Sequence, residues 1–226
     1  LRIAGTNAAL PAITFNGMIS GSRPIDIGKD NSGANQTNTR VFFNGNNSSY
    51  SGVTTLYAGT LSIPANTALG SGSLTMGNGT VTNTLAVTDT TTRTQGIVIN
   101  NTSSAAVIDV ASTKTFTMSG VLSGGATNTT KIGKSGPGTL TLSGTATYNG
   151  RLQIGDGTVI ANNNTAISTN TTTANRGVDL GLNVGGNSQP NNVSLLANNG
   201  FTVGNSIYVA SNTSSATRTI GLNGSG

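Results

Sequence analysis

The chain has 226 residues, of which 32 are Gly, 8% are charged and none is Cys, His or Trp, and its formal net charge is +5. The absence of Cys and His excludes disulfides, zinc sites with their usual ligands, thiolate catalysis and a Ser-His-Asp triad. Gly, Thr, Asn and Ser are poor helix formers, whereas 34% of the residues are hydrophobic and fall in short β-branched clusters, so the composition predicts an ordered β fold.

Short runs of alternating apolar and polar residues, bounded by Gly and Asn, predict a long series of β-strands. No stretch has a helical period of useful length, and no apolar run approaches the length of a membrane span. In chain order, the predicted strands are 10–15, 25–27, 41–43, 53–57, 60–63, 73–76, 85–87, 97–99, 107–110, 115–118, 130–132, 139–142, 152–154, 158–160, 178–184, 193–196, 201–203, 206–209 and 219–222.

The spacing of these strands fits two architectures, antiparallel hairpins in a sandwich or parallel strands winding round a solenoid. Many strands carry only two alternating apolar residues, as in Leu61 and Ile63 or Leu140 and Leu142. Two inward residues suit one side of a narrow coil, whereas hairpins favour longer, matched strands. The sequence therefore predicts an all-β parallel β-helix of about ten short rungs spaced about 4.8 Å apart, with no cysteine or metal staples.

Two segments that start 98 residues apart, 50–61 and 148–159, repeat the same pattern of Tyr-x-Gly followed by a Gly-Thr strand. The second is preceded by Lys134-Ser-Gly-Pro-Gly-Thr-Leu-Thr-Leu-Ser-Gly144. This combination closely resembles the autotransporter-associated β-strand repeat, also called the passenger-associated transport repeat. The residues expected to define the repeat are structural, namely Tyr50, Gly52, Gly59, Thr60, Leu61, Gly138, Leu140, Leu142, Gly144, Tyr148, Gly150, Gly157 and Thr158.

The resemblance implies a right-handed β-helix that is exported or displayed on a bacterial surface. We expect one solenoid segment over 1–226, part of a longer exported protein, with repeat copies near 40–70 and 131–166. The implied function is non-catalytic, as a structural or adhesive surface passenger or as a subunit of an extracellular filament or matrix. No enzyme activity, cofactor, metal or catalytic residue is expected.

The expected partners follow from shape and charge. A solenoid has two open ends with unpaired strand edges, which predicts end-to-end self-association, and surface glycans are a further candidate partner. The basic residues are scattered singly, so no stripe for a phosphate backbone is present and nucleic-acid binding is not expected.

A carbohydrate-binding or polysaccharide-cleaving β-helix is the alternative, and it requires Asp or Tyr side chains from successive rungs to converge on one groove. Among the acidic residues only Asp26 and Asp30 are close in sequence, and we interpret them as a strand end and a turn. Asp109 and Asp179 alternate with apolar neighbours and are expected to point outward. The other two are Asp89 and Asp156, both expected in turns.

Two further hypotheses treat aromatic and Thr residues as binding groups on the surface. Tyr50 and Tyr148 could stack on a sugar, although packing beside the neighbouring Gly is the favoured interpretation. Outward Thr residues, such as Thr139 and Thr141, could form an ice- or mineral-binding face. The irregular strand spacing argues against the flat array that ice binding needs.

Overall fold

The computed structural model describes residues 1–5, 12–79, 81–102, 105–125, 129–170, 177–211 and 215–224. Within these ranges, 21 short β-strands form three parallel sheets of six, nine and six strands, named sheets A, B and C here. Consecutive strands of the chain lie in different sheets, and each strand pairs with the strand one turn away. The chain is therefore a parallel β-solenoid, as predicted from sequence.

The strands of each sheet stack in chain order along the coil axis. Sheet A contains β1 (Arg2–Ile3), β3 (Ile25–Ile27), β5 (Thr54–Leu56), β7 (Leu74–Gly79), β10 (Ile97–Asn101) and β13 (Leu122–Gly124). Sheet B contains β2 (Ile13–Phe15), β4 (Arg40–Phe43), β6 (Gly59–Ile63), β8 (Asn83–Val87), β11 (Ala105–Val110), β14 (Lys131–Ser135), β16 (Arg151–Ile154), β18 (Val178–Leu180) and β20 (Ile207–Val209). Sheet C contains β9 (Thr91–Arg93), β12 (Thr115–Met118), β15 (Thr139–Leu142), β17 (Gly157–Ala161), β19 (Val193–Asn198) and β21 (Arg218–Asn223).

The nine strands of sheet B correspond to about eight turns of the coil rather than the ten expected. At about 4.8 Å per strand, the described stack is about 38 Å long. The count is lower because the chain leaves the coil twice, at 28–36 and 181–189, and these excursions lengthen two of the turns.

Apolar residues fill the interior in columns of like residues. Because side chains alternate between the two faces of a strand, parallel in-register pairing places every second residue above its counterpart in the next turn. The apolar pairs predicted to face inward are all buried. One column of sheet B, read from the first strand to the last, is Ile13, Val41, Leu61, Leu85, Ile108, Lys134, Ile154, Leu180 and Val209.

The cross-section changes along the coil. Sheet C begins only at β9, and in the preceding turn a short 3-10 helix, Asn66–Leu69, occupies the third side. Sheet A has its last strand at β13, after which an isolated bridge between Leu122 and Ala146 continues that side. No helix in the described part of the chain is both long and apolar enough to cross a membrane.

The predicted strands coincide with observed ones except at a few places. The strand predicted at 201–203 is wrong, because the Phe201 N–H donates to the Asn198 carbonyl at 3.1 Å and closes a turn. The strand predicted at 178–184 ends at Leu180, since Gly181 has a φ of 90° and starts an excursion. Strands β9 and β13 are short and were not predicted. Residues 10–11 of the first predicted strand lie outside the described residues.

Candidate functional site

The Tyr-x-Gly motif forms the same corner in both repeat copies. The Tyr50 hydroxyl donates to the Val53 carbonyl at 2.9 Å, and the Tyr148 hydroxyl lies 3.2 Å from the equivalent carbonyl of Arg151. Each ring covers the Gly two residues later, so that a Cβ at Gly52 or Gly150 would lie within 2.7 Å of the tyrosine oxygen. The Gly is therefore required by the ring.

Both rings are interior groups rather than surface platforms. Tyr148 is 0% exposed, and its hydroxyl also lies 3.0 Å from the Thr130 carbonyl of an adjacent turn. Burial raises the pKa of both tyrosines, because the phenolate would lose its hydration. Neither ring is accessible to a sugar.

The two copies of the motif lie on different sides of the coil. In the first copy, the strands after Tyr50 are β5 in sheet A and β6 in sheet B, whereas the strands after Tyr148 are β16 in sheet B and β17 in sheet C. The turns between them match, with φ of 79° at Gly59 and 68° at Gly157. The motif therefore specifies two consecutive strands and their corners, and it does so whether these strands belong to sheets A and B or to sheets B and C.

The remaining repeat residues occupy equivalent core and turn positions. Leu61, Leu140 and Leu142 are buried in the ladders, and Thr60 and Thr158 lie next to the matching turns. Gly138 and Gly144 lie against carbonyl groups of the preceding turn, where a Cβ would be within 2.3 Å of an oxygen. These positions therefore accept little except Gly.

Lys134, the first residue of the repeat pattern, is a buried cation in an apolar column. Its ammonium group donates to the carbonyls of Ser135, Gly136 and Asp156 at 2.9, 2.6 and 3.1 Å. Burial lowers the pKa of Lys134 to about 8, although the charges of Asp156 and Asp109 act in the opposite direction. The side chain ties the corner after β14 to the turn before β17.

A second internal repeat, missed in the sequence analysis, produces the two excursions. Residues 25–38 and 178–191 share the pattern Ile/Val-Asp-Ile/Leu-Gly-x-Asp/Asn-x-x-Gly-x-x-Gln-x-Asn. We name 28–36 the first excursion and 181–189 the second excursion. Each closes an antiparallel bridge, Lys29 with Asn35 and Leu182 with Ser188. The shared pattern is the signal that could have revealed them.

The hydrogen bonds of the two excursions are equivalent. Asp30 Oδ1 accepts the N–H groups of Ser32 and Ala34, both at 2.9 Å. Asn183 Oδ1 likewise accepts the N–H groups two and four residues later, at 3.0 and 3.1 Å. In both cases the N–H of the closing Gln donates to the carbonyl of the first Gly at 2.8 Å. The side chain of Asp or Asn thus organises the loop from inside.

The second excursion folds back onto the outer face of sheet B. Val184 fills the space above Gly133, where a Cβ would lie 2.2 Å from the valine Cγ1. Arg218, from strand β21, donates to the carbonyls of Gln189 and Asn191 at 2.5 and 2.6 Å. The excursion is therefore held by Val184 near its middle and by Arg218 at its C-terminal end.

Asp179 faces outward in the register of sheet B, as expected, yet its side chain is 0% exposed. Gln153 Nε2 donates to Asp179 Oδ2 at 3.0 Å, and the Arg151 guanidinium lies 3.5 Å from the same oxygen. The alternation of apolar and polar residues predicts the direction of this side chain but not its burial.

A cleft and a groove adjoin the second excursion. The cleft, of about 130 Å³, lies between the excursion and the outer face of sheet B. It leads to an open groove of about 710 Å³ along the corner between sheets B and C, and Asp156 and Asn191 line both. Besides these two, the side chains that line the cleft include Val107, Lys134, Gln153, Asn183, Val184 and Gln189, and those that line the groove include Thr158, Asn192 and Ser194.

The other carboxylates have local partners. Asp26 lies 3.7 Å from the Arg2 guanidinium, and Asp109 accepts from the Ser135 hydroxyl at 2.8 Å. The pKa of Asp30 is lowered chiefly by the Ser32 hydroxyl, and that of Asp89 chiefly by the Lys114 ammonium at 2.8 Å. Within the described ranges, no three acidic side chains cluster in a way that could hold a metal ion.

Outward Thr residues align in two columns on sheet C. Thr115, Thr139 and Thr158 are in register, as are Thr92, Thr117 and Thr141. The first column continues as Ser194 and Thr219 and the second as Ile160 and Leu196, so within the described sheet two strands, β12 and β15, carry Thr in both columns.

Arg93 is the second buried cation of the interior. It is 2% exposed and stands in the same column as Met118 and Leu142. Its Nη2 donates to the Gly72 carbonyl at 2.6 Å, while Nε and Nη1 have no hydrogen-bond partner in the described structure. Burial lowers the pKa of Arg93 to about 10.

Comparison with known proteins identifies the repeat. Residues 40–63 and 132–161 match the passenger-associated transport repeat. These ranges contain the β4–β6 segment and the β14–β17 segment, and each includes one Tyr-x-Gly corner. No curated protein and no solved structure matched the chain.

Proposed function

Because the chain carries two passenger-associated transport repeats, we propose that it is a non-catalytic scaffold segment of an exported bacterial passenger. Its role is structural or adhesive, and its place is the cell surface or the extracellular space. The single observation that supports this proposal best is the use of one repeat corner in two different sheets of a continuous parallel stack.

The energetics of the stack fit this role. Apolar columns and backbone hydrogen bonds between turns hold the coil without disulfides, since the chain has no Cys. Each turn rests on its neighbour, so the coil can extend by adding turns. An extended rod projects whatever its surface carries.

The carboxylates support a non-enzymatic role. Glycoside hydrolysis by the usual route needs two carboxyl groups on either side of one bond, one of them protonated. Here Asp26, Asp89 and Asp179 each lie beside a cation, and Asp30 organises its own loop. These contacts are those of structural carboxylates.

Surface display tests the proposal. The chain, fused before an outer-membrane translocator in a Gram-negative host, is expected to become accessible to added protease on intact cells. Gly150→Val, which collides with the Tyr148 ring, is expected to reduce the displayed amount severalfold. The exposed substitution Val121→Thr serves as the control. A chain that folds but stays inside the cell would contradict the proposal.

A filament subunit is the second candidate role. Ile220 and Leu222 continue the inward columns of sheet C and are 54% and 69% exposed, so they offer an apolar surface on which a second chain could stack. Sedimentation should then detect association that Leu222→Lys abolishes and that Val121→Lys, in the middle of the coil, leaves unchanged. A purely monomeric chain at about 100 μM would exclude this role, because open strand edges favour pairing at such concentrations.

A further inference from the structure

We propose that the cleft and groove beside the second excursion bind a neutral oligosaccharide. The inference goes beyond the scaffold role, because a rod can project without binding through this face. The first observation is that residues 181–189 leave the coil and pack on the outer face of sheet B. Outward side chains of sheet B such as Thr60 and Ala86 are partly exposed, whereas here residues 181–189 cover Val107 and Gln153 and leave a cavity.

The shape of the site suits a chain-like ligand. The cleft has a size on the order of a single sugar ring and is enclosed by the excursion. The groove is wider and open, and the shared residues Asp156 and Asn191 make the two continuous. A terminal sugar in the cleft would thus lead into further units along the groove.

The chemistry of the lining suits hydroxyl groups. Gln153 is 1% exposed, lines the cleft, and its Oε1 has no hydrogen-bond partner in the described structure. A buried amide oxygen without a partner is unfavourable, and a ligand hydroxyl that donates to it would supply the missing hydrogen bond. Asp156 adds a carboxylate acceptor, and Val107 and Val184 supply an apolar wall for the ring C–H groups.

The site is held in place by its own hydrogen bonds. Gln189 Nε2 donates to the carbonyls of Asn187 and Ser188 at 3.1 and 3.2 Å, which fixes the side-chain amide. Asn183 Oδ1 is fixed by the two N–H groups of the loop. Such pre-ordered polar groups lower the entropic cost of binding.

The cations near the site already have protein partners. The three ammonium hydrogens of Lys134 are directed to backbone carbonyls. Arg151 lies beside Asp179, and Arg218 is bonded to the carbonyls of Gln189 and Asn191. The groups left to a ligand are therefore hydrogen-bond acceptors, the Asp156 carboxylate and the Gln153 amide oxygen, and these match the hydroxyl groups of a neutral sugar.

Titration with four neutral tetrasaccharides tests the inference. The probes are β-1,4-linked glucose, α-1,4-linked glucose, β-1,4-linked N-acetylglucosamine and β-1,4-linked mannose. By calorimetry or amide NMR shifts, at least one is expected to bind with a Kd of about 1 mM or below. Asp156→Ala and Gln189→Ala should each weaken that binding at least about tenfold, which corresponds to the loss of one or two hydrogen bonds.

The first excursion supplies a matched control. Gln36→Ala removes the equivalent side chain from an equivalent loop at a distant position, and should leave the affinity unchanged. The inference is overturned if none of the four sugars binds below about 10 mM. It is also overturned if Asp156→Ala and Gln189→Ala, with unchanged circular dichroism, bind as well as the original chain. Either result leaves the scaffold proposal and its display test unaffected.

Discussion

Lys134 and Arg93 replace aliphatic residues in columns that are otherwise apolar. Lys134 stands between Ile108 and Ile154, and each of its three ammonium hydrogens has a carbonyl acceptor. Arg93 has a single carbonyl acceptor for a group with five N–H donors. Burial therefore has different consequences for the two cations. Lys134, whose donors all have acceptors, links two corners of the coil, whereas the unpaired donors of Arg93 destabilise the core.

The stability of the chain should depend on pH through Lys134. Burial lowers its pKa to about 8, below the ordinary value of 10.5, so the unfolded chain binds more protons between these two pH values. The penalty of the buried charge is present below pH 8 and is relieved as pH rises to about 10.5, by up to about 3 kcal/mol. Urea unfolding followed by circular dichroism measures this.

The control for this pH dependence is Lys134→Met. The free energy of unfolding of the original chain should rise relative to that of the variant between pH 8 and 10.5. A constant difference over this range would mean that the three carbonyl bonds keep the pKa near its ordinary value, and would contradict the expectation.

Replacing Arg93 with Met should stabilise the coil. Met118 occupies the next position of the same column, so a Met side chain fits the local packing. Removal of a buried charge with unsatisfied donors is expected to raise the free energy of unfolding by about 1–3 kcal/mol. Exposed Arg40→Met is the control, with a change below about 0.5 kcal/mol. Destabilisation by Arg93→Met would show that the guanidinium is a net stabilising group.

At the scale of elements, the second excursion is a loop that packs on the outer face of sheet B and contributes no strand to that sheet. Gly133→Ala places a methyl group where Val184 Cγ1 lies, at 2.2 Å, and should lift residues 181–189 without disturbing the coil. Hydrogen exchange of the excursion amides, such as Gln189 N–H to the Gly181 carbonyl, is expected to accelerate at least about tenfold.

The double substitution Gly133→Ala with Val184→Ala makes room for the methyl group and should restore slow exchange. Contradictory outcomes would be unchanged exchange in the single variant, or acceleration along the strands of sheet B as well. The first would show that the excursion is held without Val184. The second would show that excursion and sheet open as one unit.

The sequence predicted the structure well wherever the structure follows from the local alternation of apolar and polar residues. Alternating apolar residues located most strands, and pairs such as Leu140 and Leu142 predicted inward columns because register in a parallel stack follows the side-chain period. Contacts between distant turns were not predictable in this way. Asp179 is buried against Gln153 and Arg151 of the preceding turn, and the partner of Arg93 is a carbonyl 21 residues earlier.

The candidate binding site could not be predicted from local sequence either. The repeated Asp/Asn-x-x-Gly-x-x-Gln pattern is present in the sequence, but nothing local indicates that one copy covers sheet B. Only the Val184 contact with Gly133 and the Arg218 bonds place it there. The Tyr-x-Gly corner was recognisable because ring, Gly and carbonyl lie within four residues.

At the scale of the whole molecule, the coil is an in-register parallel rod whose length follows from the number of strands in sheet B. Outward positions of that sheet form a straight column that begins at Arg40 and ends at Tyr208. Seven strand spacings separate the two, or about 34 Å. The scaffold role depends on this rod being rigid.

Electron-spin distance measurement between labels at Arg40→Cys and Tyr208→Cys tests the rod directly, because the chain has no native Cys that would also be labelled. We expect one narrow distribution centred near 34 Å, and a pair at Thr60→Cys and Tyr208→Cys shorter by about 5 Å, one strand spacing. Equal distances for the two pairs, or broad distributions, would contradict a parallel stack and the scaffold role built on it.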